Sequence, residues 1–146
     1  MDFESFNPEP AGTTEGTVRI LIADDHPMVR DSLKKLLALE SDFEIVGEVG
    51  DGREVSDKVR QIDPDILLLD LRMPNLDGLA ILEALQRSNS RTHVIVLTAS
   101  EDKDVLAPTV KLLGGCGILL KHGDTDLIIE SIRKVNAGQA WLDAPS

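Results

Sequence analysis

The stretch Asp65-Ile66-Leu67-Leu68-Leu69-Asp70-Leu71-Arg72-Met73-Pro74 constrains this chain more than any other. Four aliphatic residues in succession, Ile66 to Leu69, run into one acid, and Pro74 follows four positions later. The run is too short for a helix and lacks the polar alternation of a half-exposed strand. It reads as a central strand covered on both faces. Asp70 then stands where the strand leaves the sheet. A carboxylate in that place is a helix cap, a salt-bridge partner or a reacting group, and the rest of the chain has to decide which.

The flanking segments repeat the pattern. Residues 18–23 are a first strand that ends in Asp24-Asp25, and His26-Pro27 opens a helix with Pro27 in the first turn it favours. Val29, Leu33, Leu36 and Leu37 form an apolar stripe at helical spacing. Residues 43–49 are a more polar strand, which suits an edge. A second helix carries Val55, Val59 and Ile62 and stops at Asp63-Pro64. Asp77, as an N-cap, and Gly78 lead into a third helix with Ile81, Leu82 and Leu85. Residues 93–98 are a fourth strand, ending in Thr98. Pro108 suits a helix first turn, so the fourth helix is expected to start near Ala107, after a long loop. Residues 117–121 are a fifth strand ending in Lys121. Asp124 or Thr125 caps a last helix, closed by Gly138. Strands alternating with helices imply an α/β fold, an open five-stranded parallel sheet with helices on both faces and right-handed crossovers.

Ligands of such sheets bind beyond the carboxyl ends of the strands, near the switch in strand order. In the order 2-1-3-4-5, Asp25 and Asp70 face each other across one gap of ~4.8 Å, Thr98 is one strand further, and Lys121 lies roughly 10 Å from Asp70 on a long flexible stem. Three carboxylates gathered there repel, by on the order of 4 kcal/mol per pair at ~4 Å and an effective dielectric of ~20. A hard divalent cation removes that cost. With oxygen ligands and no His or Cys set, Mg²⁺ or Mn²⁺ is favoured over Zn²⁺. A phosphoryl group could be held on the other side by Lys121 and the Thr98 hydroxyl, so the rim suits phosphoryl transfer to an aspartate.

Composition agrees. The chain has 146 residues and a formal net charge of -11, which suits one domain, fits cation binding and argues against a nucleic-acid-binding surface. The single cysteine, Cys116, excludes an internal disulfide and fits a reducing, cytoplasmic setting. The acidic opening Met-Asp-Phe-Glu-Ser-Phe does not read as a signal peptide, and no apolar run approaches the ~20 residues of a membrane span. Residues 1–17, with Pro8, Pro10, Gly12 and Gly16, read as a flexible tail, 18–138 as the folded domain and 139–146 as the start of a linker.

Asp24-Asp25-His26-Pro27, Leu68-Leu69-Asp70-Leu71-Arg72-Met73-Pro74, Asp77-Gly78, Val96-Leu97-Thr98-Ala99 and Leu119-Leu120-Lys121 together resemble a two-component response-regulator receiver domain. The Asp-Asp-His-Pro opening and the Gly-rich turn before Leu-Leu-Lys resemble the NarL/FixJ branch, which usually carries a LuxR-type helix-turn-helix. The resemblance implies a (βα)5 doubly wound, flavodoxin-like fold. It implies that Asp70 is the phosphoacceptor, taking its phosphoryl group from a sensor histidine kinase. Asp25 and the Arg72 backbone carbonyl would bind Mg²⁺ (or Mn²⁺) beside Asp70, with Asp24 acting through water. Thr98 and Lys121 would contact the phosphoryl group. The protein would be a self-dephosphorylating switch rather than a turnover enzyme. It would have a possible homodimer and would reach DNA only through an effector domain absent from this chain.

Ile118 departs from that pattern, because it stands where the family usually has a switch aromatic. Gly114-Gly115-Cys116 also differs from the more usual Ala-Gly-Ala. Taken singly, the site residues have plainer roles: a helix cap for Asp24 or Asp25, a strand-end hydroxyl for Thr98, a solvated terminus for Lys121. His26, His93 and His122 share no ligand spacing, although His26 sits close enough to the acids to tune them. The alternatives are a standalone receiver acting through protein contacts and a haloacid-dehalogenase-type phosphatase. The latter needs an acid two residues after its nucleophile, where this chain has Arg72.

Overall fold

The computed structural model describes residues 17–73, 77–98, 103–121 and 123–139. Expectations for residues 1–16, Pro74, His122 and residues 140–146 lie outside them. The elements are β1 (Val18–Ala23), α1 (Pro27–Leu37), β2 (Phe43–Val49), a single 3₁₀ turn (Gly52–Glu54), α2 (Val55–Ile62), β3 (Ile66–Asp70), α3 (Gly78–Arg87), β4 (His93–Thr98), α4 (Lys103–Leu112), β5 (Gly117–Leu120) and α5 (Thr125–Asn136). The five strands are parallel, in the order β2-β1-β3-β4-β5.

β3 is central and every residue of it is buried. Its side chains alternate between two cores. Ile66 and Leu68 pack with Leu33 and Leu37 of α1 and Ile128, Ile132 and Val135 of α5. Leu67 and Leu69 pack with Val55 and Val59 of α2, Ile81, Leu82 and Leu85 of α3 and Val110 of α4. A strand with no solvent face needs aliphatic residues at both parities, which is why its sequence shows no alternation. β2, the polar strand, is at the sheet edge as expected, and its register against β1 slips between Ile20 and Leu21, where Gly47 rather than Val46 pairs with Leu21.

The helix starts follow local chemistry. Pro27 begins α1. Asp77 caps α3 by accepting from the Leu79 N–H, and Asp124 caps α5 by accepting from the Asp126 N–H. α2 stops at Asp63, whose φ of 53° leaves the helix just before Pro64.

α4 corrects the sequence reading. It runs from Lys103, with Pro108 inside it, rather than starting near Ala107. Leu106, Ala107, Val110 and Leu113 all pack on the second core, and their helical spacing spans the proline. Pro108 is exposed, so the Asp104 carbonyl it leaves without a helical partner can turn to water. Burial of the apolar stripe outweighs the lost bond.

Candidate functional site

Register brings the rim residues together. Ala23 of β1 pairs with Leu69 of β3, so Asp24 and Asp70 leave the sheet side by side. Asp70 pairs with Leu97, and Thr98 with Leu120, which sets Thr98 and Lys121 at the same rim. The Lys121 N–H donates to the Thr98 carbonyl at 2.8 Å and extends the ladder by one step.

Two backbone turns fix the acids. Asp24 Oδ1 accepts from the His26 N–H at 2.8 Å, and Asp70 Oδ1 from the Arg72 N–H at 3.0 Å. Each carboxylate closes a turn onto the amide two residues ahead, which holds its second oxygen toward the rim. Behind the second turn, Gly78 passes so close to Leu71 that a Cβ there would lie 2.6 Å from the Leu71 Cα. Only glycine allows α3 to start at that distance. Met73, just past the turn, is buried in the second core.

Lys121 bridges the two fixed acids. Its Nζ lies 2.9 Å from Asp24 Oδ2 and 3.3 Å from Asp70 Oδ2. Asp24, Asp70 and the lysine side chain are 0%, 1% and 4% exposed. The flexible stem therefore closes the whole of the expected gap, and Asp24 takes its closest contact. Asp25 is partly exposed, and its Oδ1 faces His26 Nδ1 at 3.1 Å. Burial, joined by the nearby Asp24 charge, pushes the Asp70 carboxyl above the usual carboxylate range, against the opposing Arg72 N–H and Lys121. For Lys121, burial pulls the other way, but the contacts with Asp24 and Asp70 prevail and hold the ammonium above its usual range.

The donor set fits a hard divalent cation. Asp24, Asp25, His26 and Asp70 each offer a ligand atom, all within 4.8 Å of one another. Asp24 Oδ2 and Asp25 Oδ1 are shielded from solvent, yet among the described residues no hydrogen bond is aligned on either. Asp24 Oδ2 has its lysine charge partner, but off the line of a hydrogen bond. Shielded oxygens left in that state are costly without a cation.

The structure thus brings Asp24, Asp25, Asp70 and Lys121 into one cluster and sets Thr98, 2% exposed, one strand beyond Asp70. Arg72 contributes its N–H to Asp70. His26 is the residue that ligand spacing along the sequence does not find. Its Nδ1 lies 3.1 Å from Asp24 Oδ1, 3.1 Å from Asp25 Oδ1 and 3.3 Å from Lys121 Nζ. The available signal was its place two residues past Asp24, where the turn that binds its N–H also brings its ring back over the acids. His93 begins β4, at the opposite end of the sheet. Cys116 is half-buried against the first core, and burial pushes its thiol up.

A buried strand-end aspartate, bridged by a lysine to a second acid on the adjacent strand of a 2-1-3-4-5 sheet, matches one class of protein. Residues 20–133 match the family model described as "Response regulator receiver domain", and the chain belongs to that family. It is 39% identical over 116 residues to the nitrate/nitrite response regulator protein NarP of Escherichia coli (strain K12), covering 79% of this chain and 53% of that protein. It is 33% identical over 128 residues to the transcriptional regulatory protein DegU of Brevibacillus brevis, covering 88% of this chain and 54% of that protein. Among solved structures, a LuxR-family two-component response regulator from Aurantimonas sp. SI85-9A1 matches with a TM-score of 0.80 and 25% identity, covering 86% of this chain and 89% of that one. The chain spans a little over half the length of these curated relatives. Its likenesses place it with the NarL/LuxR type of response regulator.

Proposed function

We propose that this chain is the phosphoacceptor switch of a two-component pathway, with Asp70 as the residue that carries the phosphoryl group. The observation that carries this reading is the Asp24–Lys121–Asp70 bridge at the sheet rim. It holds a fixed carboxylate beside a buried cation, with Asp24 and Asp25 at hand to hold the divalent ion that offsets the phosphoryl charge. A phosphohistidine of a sensor histidine kinase is the donor. An Asp70 carboxylate oxygen forms a bond to phosphorus as the bond from phosphorus to the imidazole nitrogen breaks, and the nitrogen departs with a proton from solvent. Lys121 turns from the two acids to the new phosphoryl oxygens, and the Thr98 hydroxyl binds them from the next strand. Asp25, Asp70 and the Arg72 carbonyl, with Asp24 through water, would hold Mg²⁺ or Mn²⁺, which when bound offsets the charge of the phosphoryl oxygens.

The same residues return the switch to rest by hydrolysis, so the domain is consumed and regenerated rather than turning over a substrate. Drawing Thr98 toward a dianion shifts the loop after β4 and the α4–β5 surface. Ile118 sits in the second core, 1% exposed, so this readout works through the backbone rather than an aromatic rotamer. Residues 18–138 form the receiver, and 1–17 and 139–146 are its tail and the start of a linker. The signal reaches DNA through an effector domain outside this chain, which the greater length of the relatives supports. No helix among the described residues is long and apolar enough to cross a membrane, and a cytoplasmic site of action fits the acidic rim and single cysteine.

Intact-mass spectrometry after incubation with acetyl phosphate and Mg²⁺ tests the proposal. The chain should gain the mass of one phosphoryl group, and Asp70→Ala and EDTA-treated samples should not. No added mass, or a mass that survives Asp70→Ala, overturns it.

A further inference from the structure

We propose that His26 is an additional metal ligand, which makes the rim site discriminate in favour of borderline divalent ions such as Co²⁺, Ni²⁺ and Zn²⁺ over Mg²⁺. This inference rests on the cation reading of the site above and adds a nitrogen to its oxygen ligands. Three observations point to it. First, His26 Nδ1 lies 3.1 Å from both Asp24 Oδ1 and Asp25 Oδ1. Two ligands each about 2.1 Å from one ion and at right angles sit about 3.0 Å apart, so the separation of Nδ1 from Asp25 Oδ1 matches an edge of a coordination sphere, with Asp24 in reach of the same ion through water. Second, the ring turns onto the acids although its side chain is 59% exposed and has open solvent beside it. The turn through the His26 N–H and Asp24 Oδ1 fixes the backbone that aims it, and Pro27 follows at once.

Third, the groups around Nδ1 are mismatched without a cation. The nitrogen faces two carboxylate oxygens, which can only accept a hydrogen bond, and the Lys121 ammonium at 3.3 Å, which can only donate one. A proton on Nδ1 suits the first two and opposes the third; a lone pair does the reverse. An ion placed between Nδ1 and the two carboxylates, with the ammonium turned away, is met by lone pairs only. The shielded oxygens Asp24 Oδ2 and Asp25 Oδ1, on which no hydrogen bond is aligned among the described residues, complete that picture. Imidazole adds little for Mg²⁺, a hard ion that favours oxygen, and much for the later first-row ions.

Calorimetric titration of the metal-free 146-residue chain with CoCl₂ and separately with MgCl₂ tests this, on the unaltered protein, His26→Ala and His26→Gln. Both substitutions should weaken Co²⁺ binding on the order of 10-fold or more and change Mg²⁺ binding less than about twofold. Proton NMR of the Co²⁺-loaded chain should show paramagnetically shifted ring signals of one histidine, lost in both variants. The glutamine variant keeps a polar side chain over the acids, and an unchanged Mg²⁺ affinity certifies an intact site. Unaltered Co²⁺ binding in the variants, or equal losses for the two ions, overturns the role of His26 while leaving the cation site standing. Failure of the underlying reading looks different: Mg²⁺ binding would be absent, or would survive Asp25→Ala, and the inference would fall with it.

Discussion

Lys121 occupies the position in the rim where a cation would do the same electrostatic work. Its ammonium is buried between Asp24 and Asp70, and removing one member of a buried ion group leaves charges with neither water nor a partner. Lys121→Ala should therefore lower stability by about 3 kcal/mol without metal. Millimolar Mg²⁺ should restore more of the melting temperature in this variant than it adds to the unaltered chain, because no ammonium competes for the acids. Equal Mg²⁺ shifts in the two proteins would contradict that. Asp70 gives the opposite sign. Its carboxyl is held above the usual range, so the folded chain binds that proton more tightly than the unfolded chain does. Stability is then lost as pH rises from the usual carboxylate range through the raised native value. Asp70→Asn removes the loss. The variant should melt higher than the unaltered chain at neutral pH, by about 3 °C for a gain of about 1 kcal/mol. The gap should close as pH falls below the usual carboxylate range, where both side chains are neutral. Thermal melts across that interval check the sign.

At the level of elements, α4 is where local preference and packing disagree. Pro108 removes one helical hydrogen bond from an exposed turn, while Val110 and Leu106 secure the helix on the second core. Pro108→Ala restores the N–H to the Asp104 carbonyl and should raise stability by about 1–3 kcal/mol, read as a higher urea midpoint at unchanged slope. An unchanged midpoint would show that the turn is already satisfied. The same conflict explains what was legible in the sequence. Ile66 to Leu69 announced a central strand because each is fully buried, and burial on two faces permits only apolar residues there. The polarity of β2 announced its edge. The start of α4 was hidden because a proline reports a backbone cost, and only the tertiary contacts of Leu106 and Val110 report what offsets it. The slip between Ile20 and Leu21 left no mark either, since Val46 is an ordinary strand residue. At the site, the acids and Lys121 were legible as residues at strand ends. The Asp24–Lys121 contact and the turn of the His26 ring were not, because both depend on side-chain paths above the sheet rather than on position along it.

Across the whole molecule, charge is divided unevenly between the rim and the flanks. Arg30 and Lys34 pair with Glu48 beside α1, Arg91 pairs with Asp63 and Asp65 at the amino ends of the strands, and Arg133 pairs with Glu40 and Asp42 while lying 4.7 Å from the Phe43 ring centroid. These cations are committed where they stitch helices and loops to the sheet, while at the rim Lys121 meets two carboxylates, Asp24 and Asp70, with Asp25 beside them. The chain as a whole carries -11. Cation binding therefore draws on two sources of attraction, the ligands in contact and the field of the remaining acids. They differ in range. Contacts within the site are hardly screened, whereas the wider field falls away as the Debye length shrinks to ~10 Å near 0.1 M salt. Raising monovalent salt from about 20 to about 200 mM should weaken Mg²⁺ binding by roughly three- to tenfold if the field contributes on the order of 1 kcal/mol. Sodium could also compete directly for the carboxylates. Repeating the titration in tetramethylammonium chloride, whose cation is too bulky to enter between them, separates the two effects. The same weakening in both salts assigns the difference to the charge of the whole domain. A change below about 1.5-fold in the bulky salt would confine the attraction to the rim ligands themselves.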